Sequence, residues 1–170
     1  MLRNFLEKRR VKKIFGKVVD EHVVAAALEG RLERPPRTQS HIEFVIASVS
    51  GDTAERISEL MGRVLGIATR HGALVDGLSG SVVVAAFGAP PARPPLAGAR
   101  FRLVEELLRE LGGEIKVVHG AGQGCYGLFG SEANGRYSFA VPRFDDALGL
   151  LSSTKFGSAQ EFKTGASKLI

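Results

Sequence analysis

Residues 122–127, GQGCYG, carry the G-x-G-x-x-G spacing of a loop that cradles a dinucleotide pyrophosphate. That chemistry needs a strand entering the loop and a helix leaving it. The helix N-terminus and close backbone amides then hold the phosphates. Ile115, Val117 and Val118 suit the entering strand. The exit does not suit a helix. Gly130, Asn134 and Gly135 follow closely, and glycine costs about 1 kcal/mol per helical position relative to alanine. Asn134-Gly135 between apolar runs is a hairpin signal. The stretch therefore reads as a glycine-rich β-meander, whose missing side chains permit a tight bend or close approach of another backbone. His119 and Cys125 have the residue types of a base and a nucleophile. Triads assemble across a fold, so spacing alone cannot join these two. His119 in a strand is expected to be a satisfied structural histidine, and Cys125 a small buried hydrophobe.

The elements that would position such residues follow from hydrophobic period. Leu2, Phe5, Leu6, Ile14, Phe15 and Val18 lie near helical spacing, and Asp20 can cap a second short helix ending at Gly30. Pro35-Pro36 makes the following stretch a connector. IEFVIASV, 42–49, is apolar without alternation, as in a strand buried on both faces. Asp52 or Thr53 can cap the next helix. Its stripe is Ile57, Leu60, Met61, Val64, Leu65 and Ala68, and Gly72 ends it. ALVDGL and SVVVAAF follow as strands around a turn at Ser79-Gly80. After the proline-rich GAPPARPP, a third helix carries Leu96, Ala99, Leu103, Val104, Leu107, Leu108 and Leu111 to Gly112. A strand, the glycine-rich meander and a strand run to about Val141. A short helix from Phe144 to Leu151 and a last strand around Gln160 to Lys163 complete the pattern. The order β-α-β-β-α-β-β predicts an antiparallel sheet backed by helices. Its core is expected to hold Phe44, Ile46, Ile57, Leu60, Met61, Val64, Val82, Val84, Leu103, Leu107 and Val117.

The 170 residues suffice for one domain with a real core, and 44% hydrophobic with 24% charged residues is ordinary for a globular chain. Cys125 is the single cysteine, so no intrachain disulfide forms and a cytoplasmic setting is expected. No apolar run approaches the roughly 20 residues of a transmembrane helix, and MLRNFLEKRR lacks a signal peptide's apolar region. The net charge of +5 is uneven: Arg3, Lys8, Arg9, Arg10, Lys12, Lys13 and Lys17 face Glu7 alone. This reads as a solvated helix face or linker, with weak contact to an anionic membrane through residues 3–17 as the alternative. The near-neutral remainder and the lack of an aromatic stacking platform exclude nucleic acid as a partner.

Three stretches, in this order, resemble the class III nucleotidyl cyclase domain, the adenylate/guanylate cyclase homology fold. KIFGKVVDEHVVAAAL resembles the helical segment before many bacterial cyclase domains. RHGALVDGLSGSVVVAAFGAP resembles the second and third strands, with the ending Phe87-Gly88-Ala89-Pro90. HGAGQGCYGLFGS matches the glycine-rich meander through Gly122, Gly127, Gly130 and Ser131. The resemblance implies an α+β, ferredoxin-like antiparallel sheet with helices packed on it, preceded by an N-terminal helical segment. It divides the chain into a basic helical segment and Pro-containing connector, 1–38, and a C-terminally shortened cyclase-homology domain, 39–170. It also makes GQGCYG the bend between two strands, without a dinucleotide.

A cyclase activates a ribose 3′-hydroxyl and stabilises the departing pyrophosphate, using two metal ions held by aspartates. The resemblance puts those aspartate positions at Ser48 and Ser81. Asp52 and Asp76 are the acids nearby in sequence. The base-reading positions fall at Gly77 and Pro142, the ribose-orienting asparagine at Asp145, and the arginine on the leaving phosphates at Gly149. Arg143 is close in sequence, on a different face of the short helix. The implied function is a catalytically inactive cyclase-like domain acting in dimerisation or signalling, with no catalytic residue, metal or cofactor. Its implied partner is a second copy or another cyclase-like chain. The alternative is an active or half-active adenylate/guanylate cyclase completed by a partner chain. An unrelated enzyme using His119 and Cys125 on the same sheet is a third reading.

Overall fold

The computed structural model describes Glu29 and residues 38–88, 97–129 and 136–163. The expected N-terminal helices, the Pro35-Pro36 connector, the proline-rich loop and the Asn134-Gly135 turn lie outside the described residues, as does Leu96.

Strand β1 (Thr38–Val49) is the centre of a six-stranded sheet. Helix α1 (Ala54–Arg70), β2 (Leu74–Ser79), β3 (Val82–Phe87), α2 (Ala99–Leu111), β4 (Ile115–Phe129), β5 (Arg136–Ala140), α3 (Phe144–Ser153) and β6 (Ser158–Lys163) follow. The strand order is β2-β3-β1-β4-β5, with β6 beside β4. All pairs are antiparallel except β4 with β6, which is parallel. The α+β sheet with helices packed on it is thus present, and one parallel pair qualifies its expected antiparallel character. The parallel pair follows from connectivity: β5 runs antiparallel to β4, and after α3 the chain reverses once more, so β6 runs in the direction of β4.

The unbroken apolar run of β1 has its reason in two cores. Val45, Ala47 and Val49 face α1 and α2, in a cluster with Leu60, Val64, Leu103, Leu107 and Val117. Ile42, Phe44 and Ile46 point the other way, toward Val118, Phe139, Ala147 and Leu151. Seven of the expected core residues are buried: Phe44, Ile46, Leu60, Val64, Leu103, Leu107 and Val117. Ile57, Met61, Val82 and Val84 are only partly buried, each packed against the edge of one cluster.

Local signals set the element ends. Thr53, in extended conformation, caps α1: its side-chain oxygen accepts from the Arg56 amide at 3.1 Å. Asp52, the other candidate, stands one residue further out and is exposed. Gly80, with φ of 57°, makes the β2–β3 turn that a residue with a Cβ adopts at a cost. β1 starts four residues earlier than its apolar run, at Thr38, because its polar end pairs with the glycine-rich half of β4.

The bend expected at 122–127 is absent. GQGCYG lies inside the 15-residue β4, paired with β1 along one edge and with β5 on the other. Its glycines serve close approach. A Cβ on Gly124 would stand 2.4 Å from the Ala140 carbonyl oxygen, and one on Gly120 2.6 Å from the Phe44 ring. No described helix is long and apolar enough to cross a membrane.

Candidate functional site

The β1–β3 register brings the two positions implied for metal-binding aspartates together. Ser48 is opposite Val82, one residue from Ser81, and the Val49 amide donates to the Ser81 carbonyl at 3.0 Å. The hydroxyls themselves lie 3.3 Å apart, Ser48 Oγ to Ser81 Oγ, within hydrogen-bond reach. Ser48 is only 6% exposed. Residue 48 has the even parity of Ile42, Phe44 and Ile46, so it sits on the sheet face away from α1 and α2.

Two neutral hydroxyls satisfying each other do not fit a pair of divalent cations. Such ions take carboxylate oxygens whose charge offsets their own. Nearby acids are engaged otherwise or displaced. Glu114 accepts from Arg56 Nε and Nη2 at 2.7–3.0 Å. Asp76 sits at the irregularity of β2 between Val75 and Gly77, where its Oδ2 accepts from Ser138 Oγ of β5 at 2.9 Å. That bond joins strands at opposite ends of the five-strand path, so the two ends of the sheet approach each other. Among the described residues, no three His, Cys, Asp or Glu side chains are grouped to hold a metal ion.

The other implied positions are spread along two elements. Gly77 pairs with Val84 in β2. Pro142 is exposed before α3, and Asp145 and Gly149 are exposed on it. A Cβ on Gly149 would meet nothing within 4 Å. No hydrogen bond among the described residues connects this group to Ser48 or Ser81. Arg143 is not on a face of α3. It precedes the helix in the left-handed region, φ 62°, and its Nε donates to Asp146 Oδ2 at 2.6 Å.

His119 and Cys125 also depart from expectation. Cys125 is half-buried. His119 is buried, but its Nδ1 has no hydrogen-bond partner. Burial holds its pKa below the ordinary histidine value, Arg100 adds to the effect, and Glu161 opposes it. No hydrogen bond among the described residues joins the two, and five residues lie between them along β4.

The residues missed by the sequence reading surround His119. Arg100 is 6% exposed, between Glu43 and Glu161. A signal existed. Arg100 stands three and four residues before Leu103 and Val104, on the apolar stripe of α2, and Glu43 alternates with Val45 and Ala47 in β1.

No protein-family model matches the sequence, and no curated protein matches it. Solved structures do match by shape. The adenylyl cyclase CyaB from P. aeruginosa is 16% identical, over 73% of this chain and 77% of that one, with a TM-score of 0.54. A dimeric guanylyl cyclase domain of the RhoGC fusion protein from the aquatic fungus Blastocladiella emersonii is 15% identical, over 74% and 81%, with a TM-score of 0.59. A bacterial light-regulated adenylyl cyclase is 15% identical, with a TM-score of 0.66, and the match covers 89% of this chain and 50% of that chain. The protein has the fold of class III nucleotidyl cyclase domains.

Proposed function

We propose that this chain is a catalytically inactive cyclase-like domain that acts by association in intracellular signalling. The observation that carries this reading is the Ser48–Ser81 hydroxyl pair, 3.3 Å apart, at the two positions where the resemblance puts metal-binding aspartates. A cyclase must offset charge as pyrophosphate departs, and cationic metal centres supply several kcal/mol of that stabilisation. Ser48 and Ser81 bring no charge. Gly77, Pro142 and Gly149 bring no polar side chain to the base-reading and leaving-group positions, and Asp145 stands where an asparagine would orient the ribose. The single cysteine suits a reducing, cytoplasmic setting.

The partner in this reading is a second copy or another cyclase-like chain. The dimeric state of the similar RhoGC domain supports it. Small or uncharged residues at exposed Pro142 and Gly149 and at partly buried Gly77 and Ser81 allow close contact with a partner. The stripe Leu2, Phe5, Leu6, Ile14 and Phe15 offers a second route to pairing, with the basic residues left in solvent or against an anionic membrane.

Purified protein with manganese and ATP or GTP is expected to give no cyclic product above a blank, and titration calorimetry with the same nucleotides separates a dead site from one that still binds. Turnover would replace this reading with an active cyclase. Ser48→Asp with Ser81→Asp is expected not to restore activity, since the other positions are unchanged. Light scattering at micromolar concentration is expected to give a dimer, weakened in a chain lacking residues 1–18. A monomer in both chains defeats the association.

A further inference from the structure

The sheet face opposite Ser48 holds an ionic cluster in which Arg100 and His119 are buried, Glu43 is partly buried and Glu161 is exposed. Val45, His119 and Glu161 are cross-strand neighbours on β1, β4 and β6, and Glu43, Ala121 and Lys163 form the next row. The first turn of α2 sets Arg100 over these rows. Its Nη2 donates to Glu161 Oε1 at 3.1 Å, and its Nε lies 3.5 Å from Glu43 Oε2. Its guanidinium lies 4.3 Å from the centre of the Phe101 ring, and that ring meets the His119 imidazole edge-on at 5.6 Å. Arg100 and His119 are 6% and 7% exposed, while Phe101 is 52% exposed. Nε and Nη1 of Arg100, Oε2 of Glu43 and Nδ1 of His119 are all buried without a hydrogen-bond partner. Buried polar atoms are normally paired, so these orphans collected at one place mark an arrangement with little electrostatic reserve.

We propose that His119, Arg100, Glu43 and Glu161 form a pH-sensitive latch, which clamps the first turn of α2 to the sheet at neutral pH and releases it when the imidazole gains a proton. The neutral ring tolerates Arg100 beside it; the protonated ring does not. Two cations would then share a buried site, and the new Nδ1–H or Nε2–H would need an acceptor. The acceptor facing the ring is Glu161 from β6, and Glu43 of β1 lies one row away, opposite Ala121. The cations are Arg100 from α2 and Lys163, one row further out, with exposed His41 beyond Glu43 on β1. Glu161 can serve the imidazolium only by giving up Arg100. Arg100 is then left buried with Glu43 alone. If Glu161 stays with Arg100, the imidazolium is buried unpaired. Both responses loosen the α2 anchor.

The sign agrees. Burial and Arg100 depress the folded-state pKa of His119. The unfolded chain therefore takes up this proton first as pH falls. The stability that depends on the neutral ring is complete above the ordinary histidine pKa of about 6.5 and is lost between that value and the lower folded one.

Hydrogen exchange on the full chain, at about pH 7.5 and about pH 5.5, tests the latch. After correction for intrinsic rates, amides of residues 102–107 are expected to exchange roughly tenfold faster at the lower pH, with those of residues 54–70 unchanged. His119→Gln is expected to remove this acceleration, and His71→Gln, which perturbs the neighbouring Glu106 pair, to keep it. Equal protection of 102–107 at both pH values in the wild type overturns the proposal, as does acceleration that persists in His119→Gln. Should His119→Gln fail to fold, an NMR titration of the wild-type imidazole decides. A His119 pKa below the ordinary value supports the latch, and one at or above it overturns it.

Discussion

The two faces of the sheet solve the packing problem in different ways. Toward α1 and α2, long aliphatic side chains fill the space: Leu60, Val64, Leu103 and Leu107 meet Val45, Val83 and Val117. Ion pairs ring that face, with Arg56 on Glu114 and Arg70 on Glu106, whose second oxygen lies within hydrogen-bond distance of His71 Nε2. Toward α3, the core relies on aromatic rings set against glycines. Phe44 meets Phe144 edge-on at 5.1 Å, Phe139 meets Phe144 at 5.6 Å, and Gly120 leaves the room in which the Phe44 ring lies. The hydroxyl pair of Ser48 and Ser81 belongs to this second face. The face toward α1 and α2 therefore fills space with aliphatic volume, and the aromatic face relies on close backbone approach. Substitutions on the first face should act through lost volume, and on the second through steric conflict.

The largest effect is expected on the helix face. Leu107 is 1% exposed in the middle of the aliphatic cluster, so Leu107→Ala should cost about 2–5 kcal/mol. Urea unfolding measures it, and a loss under about 1 kcal/mol would contradict the aliphatic core. On the aromatic face, Gly124→Ala puts a Cβ near 2.4 Å from the Ala140 carbonyl oxygen. Backbone cannot rotate away like a side chain, so β5 must shift, at about 1–3 kcal/mol. Gly62→Ala, where a Cβ meets nothing within 4 Å, is the control. It should stabilise α1, because alanine is the better helix former.

Smaller changes separate the polar features. Ser48→Ala removes one half of the hydroxyl pair and should cost about 0.5–1.5 kcal/mol. A neutral result would show that Ser81 turns to solvent without loss. The acid limb of stability gives the least. The hydrogen bond from Arg70, then that from His71, lowers the Glu106 pKa. Its contribution is full above the ordinary glutamate pKa and is lost as pH falls through the lower folded value. Glu106→Gln should flatten that limb in acid unfolding curves and leave the slope nearer neutrality unchanged.

The element order was legible because each signal is local. The stripe from Ile57 to Ala68 and the apolar run of β1 report period directly. The final short helix and strand, 144–153 and 158–163, were legible as well. The error at GQGCYG has a physical cause. Glycine marks both turns and close approach, and the sequence alone cannot say which, since the contact partners at Gly120 and Gly124 lie on β1, β5 and β6. His119 was misjudged for the same reason. Its environment is made by α2 and β6, 19 and 42 residues away in sequence at Arg100 and Glu161.

The sequence by itself determined the elements, the two-sided burial of β1 and the residue types at 48 and 81, since period and identity are properties of a short stretch. Only the tertiary structure decided that Ser48 and Ser81 share a hydrogen bond, that Thr53 caps α1, that β6 runs parallel to β4, and that Arg100 is buried between two carboxylates. Each of these is a matter of distance between groups far apart in sequence or of one chosen backbone geometry. Chain order sets the residues available for such contacts, and packing chooses among them.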